Sequence, residues 1–119
     1  MAEQARVERN ARLRAKLESM LHELLSLRAA TEQSRAAVTL DQQSVGRVSR
    51  IDAMQAQQLA LAADRQRQAQ IGRIRRALDR IEEGEFGFCV ECGNEIAEGR
   101  LEIDPSAHLC IRCASLRSG

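Results

Sequence analysis

Leu13, Leu17, Met20, Leu24, Leu27, Thr31, Ser34 and Val38 follow one another in alternating steps of four and three. That is the spacing of a coiled-coil seam, one stripe of a helix turned toward a partner. Arg, Glu, Gln and Ala fill the positions between, and neither Pro nor Gly interrupts them. The pattern predicts one helix over about residues 3–38. Glu8 with Arg12, and Glu32 with Arg35, stand at spacings that permit ion pairs along it, worth roughly 0.2–0.5 kcal/mol each.

The pattern breaks at 39–47, TLDQQSVGR, where Asp41, Ser44 and Gly46 favour turns and caps. Helical character resumes near Val48 and runs to about Glu83, with Ile71, Ile74, Leu78 and Ile81 as a seam at its far end. Between Ala53 and Ala63 the chain is mostly Ala and Gln with Met54, Leu59 and Leu61, and fixes no clear register. The two helices have equal expected lengths, each about 54 Å at ~1.5 Å per residue. Equal helices joined by a short turn fold back into an antiparallel hairpin. Its tip would lie near 39–50. A single long helix pairing between chains is the competing arrangement.

Composition supports a mainly α chain. Of 119 residues only Phe86 and Phe88 are aromatic, and Pro occurs once. Such a chain lacks the large apolar side chains of an ordinary globular core but suits long helices. There is no long apolar run for a membrane span and no signal-peptide pattern at the start. A soluble, cytoplasmic protein is expected. The net charge is +1, and residues 86–119 carry 3 basic against 5 acidic groups. This balance weighs against a dedicated DNA binder. Nor is there a nucleophile–base pair or a Gly-rich phosphate loop, so no enzyme is expected.

The strongest chemical signal is Cys89-Val-Glu-Cys92, then seventeen residues, then Cys110-Ile-Arg-Cys113. Each C-x₂-C pair aims two thiolates at one point, and two pairs make the tetrahedron that Zn²⁺ prefers. Gly93 supplies a turn position tolerant of positive φ. Four thiolates leave no open coordination position, so one structural Zn²⁺ is predicted, with no activated water. A disulfide pair, an iron site and a redox-sensing use are the weaker alternatives. His108 is expected on the surface or beside the site, outside the ligand set. With only Phe86, Phe88, Ile96, Leu101, Ile103 and Leu109 as large apolar groups, the segment needs the metal to fold. The expected domains are a hairpin over 1–84 and a four-cysteine module over 85–119.

The segment Glu83-Gly-Glu-Phe86-Gly-Phe88-Cys89-Val-Glu-Cys92-Gly93, with Arg100-Leu101-Glu102, Asp104-Pro105 and Leu109-Cys110-Ile-Arg-Cys113, resembles the DksA/TraR C4-type zinc-finger family. The match is strong over about 71–114, and the hairpin ahead of it has the family's architecture. The resemblance implies a partner, bacterial RNA polymerase, approached without specific DNA binding. The coiled coil enters the secondary channel, the zinc module contacts the channel rim, and transcription initiation is modulated, often with the alarmone ppGpp. Arg100 matches a family arginine that supports polymerase contact. Arg73 falls where the family has a basic residue of its ppGpp site.

The sequence departs from the family at two places. The family's tip motif D-x-x-D-x-A falls on Gly46-Arg-Val-Ser49-Arg-Ile51, so both acids are missing. The candidate tip residues are instead Asp41, Arg47, Ser49, Arg50 and Asp52. A second basic position of the ppGpp site is Asp104, which repels a phosphate. Synergy with ppGpp is therefore not expected. A zinc-stapled coiled-coil adaptor for another protein, acting as a dimer, is the alternative function; a monomer fits the hairpin.

Overall fold

The computed structural model describes the backbone over 2–45 and 50–118 and the side chains over 3–32 and 50–117. Four helices follow in order: α1 (Ala2–Val45), α2 (Arg50–Glu83), α3 (Glu98–Ile103) and α4 (Ile111–Ser118). Among the described residues the only extended pairing is one antiparallel bridge, Phe88 with Glu95. The chain is mainly α, as its periodicity predicts.

The expected helix ends need correction. α1 runs on to Val45, through the Thr39–Val45 stretch that its Asp and Ser mark as a break. The polar residues there are tolerated in a helix, and only Gly46 to Ser49 separate the two helices, outside the described residues. α1 therefore has 44 residues and α2 has 34, not equal lengths.

The chain forms two compact units: Met1–Leu21 with Gly72–Gly119, and His22–Ile71. In the first, Leu13 and Leu17 of α1 and Ile74 and Ala77 of α2 are fully buried. The same unit buries Phe86, Cys89, Ile96, Leu101, Pro105 and Leu109 from the segment after α2. The cysteine-bearing segment thus adds its few apolar residues to those of two helix ends. Arg14 of α1 reaches Glu82 of α2 at 3.4 Å and ties the two helices within this unit.

α2 stops at a definite motif. Gly84 takes φ 78°, a left-handed conformation open to glycine at little cost. Its N–H donates to Ile81 O at 3.3 Å, and Glu85 N–H donates to Arg80 O at 2.8 Å. These are the two bonds of a Schellman cap, and they turn the chain off the helix axis into the cysteine segment.

In the second unit the seam fades. Ile71 is buried and Leu24 half-buried, but Leu27 is 54% exposed. The α2 portion of this unit is the Ala- and Gln-rich stretch, which offers small side chains to bury against. Ile51, Met54 and Leu59, spaced along one face of α2, are exposed. No helix among the described residues is long and apolar enough to cross a membrane.

Candidate metal centre

Cys89 and Cys92 sit on a knuckle between the two sides of the Phe88–Glu95 bridge. Cys89 N–H donates to Asn94 O at 2.8 Å, and Gly93 N–H donates back to Cys89 O at 2.9 Å. Gly93 has φ 75°, the positive value its place after Cys92 predicts. The second pair is built differently. Cys110 stands just before α4 and Cys113 lies in its first turn. Cys113 N–H points at Cys110 Sγ at 3.5 Å, and Ala114 N–H donates to Cys110 O at 2.9 Å. A helix start collects unpaired N–H groups and favours a thiolate there.

The four Sγ atoms all lie within 4.8 Å of one another. Cys92 Sγ and Cys110 Sγ, one from each pair, are 3.7 Å apart. A tetrahedral zinc with ~2.3 Å bonds sets its sulfurs about 3.8 Å apart, so the cluster fits that ion. Donor chemistry agrees, since four soft thiolates at this spacing select zinc over hard cations. Cys89 is buried, Cys110 and Cys113 are half-buried and Cys92 is exposed.

The thiols are not equivalent. Burial works against the Cys89 thiolate, but the N–H groups of Cys110 and Cys92 and the neighbouring thiols outweigh it, bringing Cys89 down to about 6. The Cys113 N–H holds Cys110 below its usual range. Cys113 shares its proton with Cys110 and is pushed up to about 12. One corner of the tetrahedron is thus ready as a thiolate, and another gives up its proton only to a metal.

Two further ties frame the site. Val90 N–H donates to His108 O at 2.9 Å, joining the two cysteine pairs. Arg117 near the end of α4 pairs with Glu91 between Cys89 and Cys92. The side chain of His108 is half-buried. Burial, then Arg80, Arg76 and Arg73 of α2, hold its pKa below the usual imidazole range.

The other candidate residues divide between the units. Arg73 is half-buried on α2, and Arg100 is half-buried with its Nε donating to Leu109 O at 3.0 Å. That bond ties α3 to the turn before Cys110. Asp104, the departure at the ppGpp position, has a local task. Its Oδ1 accepts from Ser106 N at 3.1 Å and from Ser106 Oγ at 2.7 Å, closing the turn that seats buried Pro105. Arg50 and Asp52 are exposed in the first turn of α2, in the other unit. The side chain of Asp41, and Arg47 and Ser49 entirely, lie outside the described residues.

A set of residues that the sequence reading overlooks joins α1 to the metal module. Arg6 pairs with Glu95, Arg9 with Glu98 at 3.7 Å, and Arg12 with Glu102 at 2.6 Å. Lys16 Nζ adds a hydrogen bond to Glu102 O at 2.9 Å. Arg6 also lies over the Phe88 ring and Arg9 over the Phe86 ring, 5.8 and 5.9 Å from their centroids. Arg12 therefore spends its charge across the unit and not on Glu8. Likewise Glu32 pairs with Arg28 at 3.7 Å, while the Arg35 side chain lies outside the described residues. The available signal was the spacing of three between Arg6, Arg9 and Arg12 on a helix, set against an acidic C-terminal third.

The fold and the cysteine cluster define a C4 zinc-finger protein built on a long helical pair, and comparison with known proteins agrees. Residues 84–118 match the prokaryotic dksA/traR C4-type zinc finger. The chain is 45% identical over 53 residues to the RNA polymerase-binding transcription factor DksA of Escherichia coli (strain K12), which is 44% of this chain and 34% of that protein. Its fold matches the transcription factor DksA2 of Pseudomonas aeruginosa with a TM-score of 0.69, at 23% identity, over 93% of this chain and 84% of that one. The RNA polymerase binding protein and transcriptional regulator Dks of Chlamydia trachomatis L2 matches with a TM-score of 0.56, at 20% identity, over 93% and 88%. Residues 84–118 thus match a dksA/traR-type finger, and the fold is similar to that of DksA proteins.

Proposed function

We propose that this chain is an RNA polymerase-binding transcription regulator, not an enzyme, that works in the bacterial cytoplasm as a monomer. The observation that carries the reading is the 45% identity to a protein named RNA polymerase-binding transcription factor DksA. In this reading the hairpin, residues 1–84, enters the secondary channel and the module, residues 85–119, rests at its rim. Cys89, Cys92, Cys110 and Cys113 hold one zinc ion, which when bound cross-links two turns and leaves no position for substrate. Arg73 and Arg100 face the polymerase at the base.

The tip delivers Arg47, Ser49 and Arg50, with Asp41 and Asp52 as the nearest carboxylates, where the family has two acids. A basic, polar tip pairs with acidic groups or nucleotide phosphates, which implies an effect on initiation different from that of an acidic tip. Asp104 disfavours ppGpp at the base, so the effect is independent of ppGpp.

The test is competition for core RNA polymerase against a labelled secondary-channel ligand, with and without ppGpp. Displacement that ppGpp does not alter is expected. No displacement at tens of micromolar protein would leave the adaptor reading, which the exposed Ile51, Met54 and Leu59 stripe favours. Arg47→Ala with Arg50→Ala should leave folding intact and abolish the transcriptional effect. Retained activity would move the tip chemistry to Asp41.

A further inference from the structure

We propose that metal loading at the four cysteines and helical order in residues 3–12 of α1 are one coupled equilibrium, joined by Arg6, Arg9 and Arg12 on Glu95, Glu98 and Glu102.

The first three turns of α1 have little else to hold them. No apolar side chain among residues 3–12 is buried, and Val7 is 62% exposed. The buried anchors of α1 begin only at Leu13. A helix end without packing frays, because most helical stability in proteins comes from a buried face. What residues 3–12 do contact is the metal module. Arg9 is the centre of this contact: its side chain is only 12% exposed. It fills the space beside Gly87, where a Cβ would stand 2.8 Å from Arg9 Nη2. Gly87 has φ 93° and leaves that surface open to the guanidinium.

The acceptors of this strap depend on the cysteine site by short covalent paths. Phe88 precedes Cys89, and Glu95 is bridged to Phe88 across the Cys89–Cys92 knuckle. Ile96 N–H donates to Gly87 O at 2.8 Å and closes the same reversal. Glu98 and Glu102 lie on α3, which Arg100 ties to Leu109, next to Cys110. Once the two cysteine pairs are not drawn together, Glu95 on the Cys89–Cys92 reversal loses its fixed register with Glu98 and Glu102 of α3. Single exposed ion pairs contribute little, but three in register with two ring contacts act as a set. Coupling of this kind is reciprocal: what orders the strap tightens the metal, and by the same factor.

Hydrogen exchange on the full zinc-loaded chain tests this. Chelation should raise exchange over 3–12. To separate the strap from general unfolding, the variant Glu95→Gln, Glu98→Gln, Glu102→Gln is loaded with zinc and its metal content confirmed. Exchange over 3–12 should rise on the order of tenfold while 86–110 stays protected. Its zinc affinity, by competition with a chromophoric chelator, should weaken by the same factor. Arg12→Glu should weaken both readouts, and adding Glu102→Arg should restore both. Unchanged exchange over 3–12 in the triple variant would overturn the proposal. So would a zinc affinity equal to that of the original chain, or a failure of the reversed pair to restore what Arg12→Glu loses.

Discussion

Arg12 Nη1 donates to Glu102 Oε2 at 2.7 Å across 90 positions of sequence. The bond holds the Glu102 carboxyl below the usual carboxylate range, with burial opposing it and the charges of Arg12, Lys16 and Arg9 adding to it. A carboxylate depressed in the fold stabilises it above its unfolded range, and that contribution is lost as pH falls through its folded value. Glu102→Gln should therefore melt lower than the original chain at neutral pH. The difference should close in acid and shrink at high salt. Melting curves at several pH values check it; a gap that persists in acid would mean that packing, not charge, is lost.

Leu17 and Leu27 both lie on the predicted seam, yet the first is fully buried and the second 54% exposed. Leu17→Ala should cost about 2–5 kcal/mol and Leu27→Ala less than about 0.5 kcal/mol. Urea denaturation separates the two.

Cys89→Ser removes the buried corner of the cluster. Zinc should be lost and the unit formed by Met1–Leu21 and Gly72–Gly119 destabilised, since a structural metal's binding energy is folding energy. Metal analysis and circular dichroism report the two effects. Retained zinc with an unchanged melt would count against the four-cysteine site. For the original chain, zinc uptake near neutral pH should release protons, because Cys113 stays protonated up to about 12 without metal. Affinity should fall as pH drops across the neutral range and more steeply below about 6, where Cys89 also takes up a proton. Chelator competition across pH measures this.

Gly87→Ala should destabilise by roughly 1–2 kcal/mol from its left-handed backbone alone, before Arg9 is displaced. Gly99→Ala should do the opposite. It lies in α3, a Cβ there meets nothing within 4 Å, and a gain of about 0.4–1 kcal/mol is expected. Thermal melts of both variants decide it; equal effects would show that neither the positive φ nor the Arg9 contact matters.

The parts of this protein that were readable from sequence are those set by local spacing. Two C-x₂-C pairs brought four sulfurs together, and the steps from Leu13 to Leu17 and from Ile71 to Ile74 marked buried positions. The end of α1 was not readable. Asp41 and Ser44 have turn preferences of only a few tenths of a kcal/mol, and a helix already running overrides them. Ile103 was counted among the apolar groups of the module but is 87% exposed, because it ends α3 on the face away from buried Leu101. The ion pairs of α1 with the module were hidden for a different reason. Their partners are some 90 positions apart, and periodicity within a helix says nothing about them.

That separation also sets an order of events during synthesis. Arg6 leaves the ribosome 89 residues before Glu95. At ~5–20 residues per second the wait is roughly 4–18 seconds. The start of α1 emerges long before the module that supplies its contacts. A nascent chain halted before Glu95 would leave Arg6, Arg9 and Arg12 without the carboxylates they pair with.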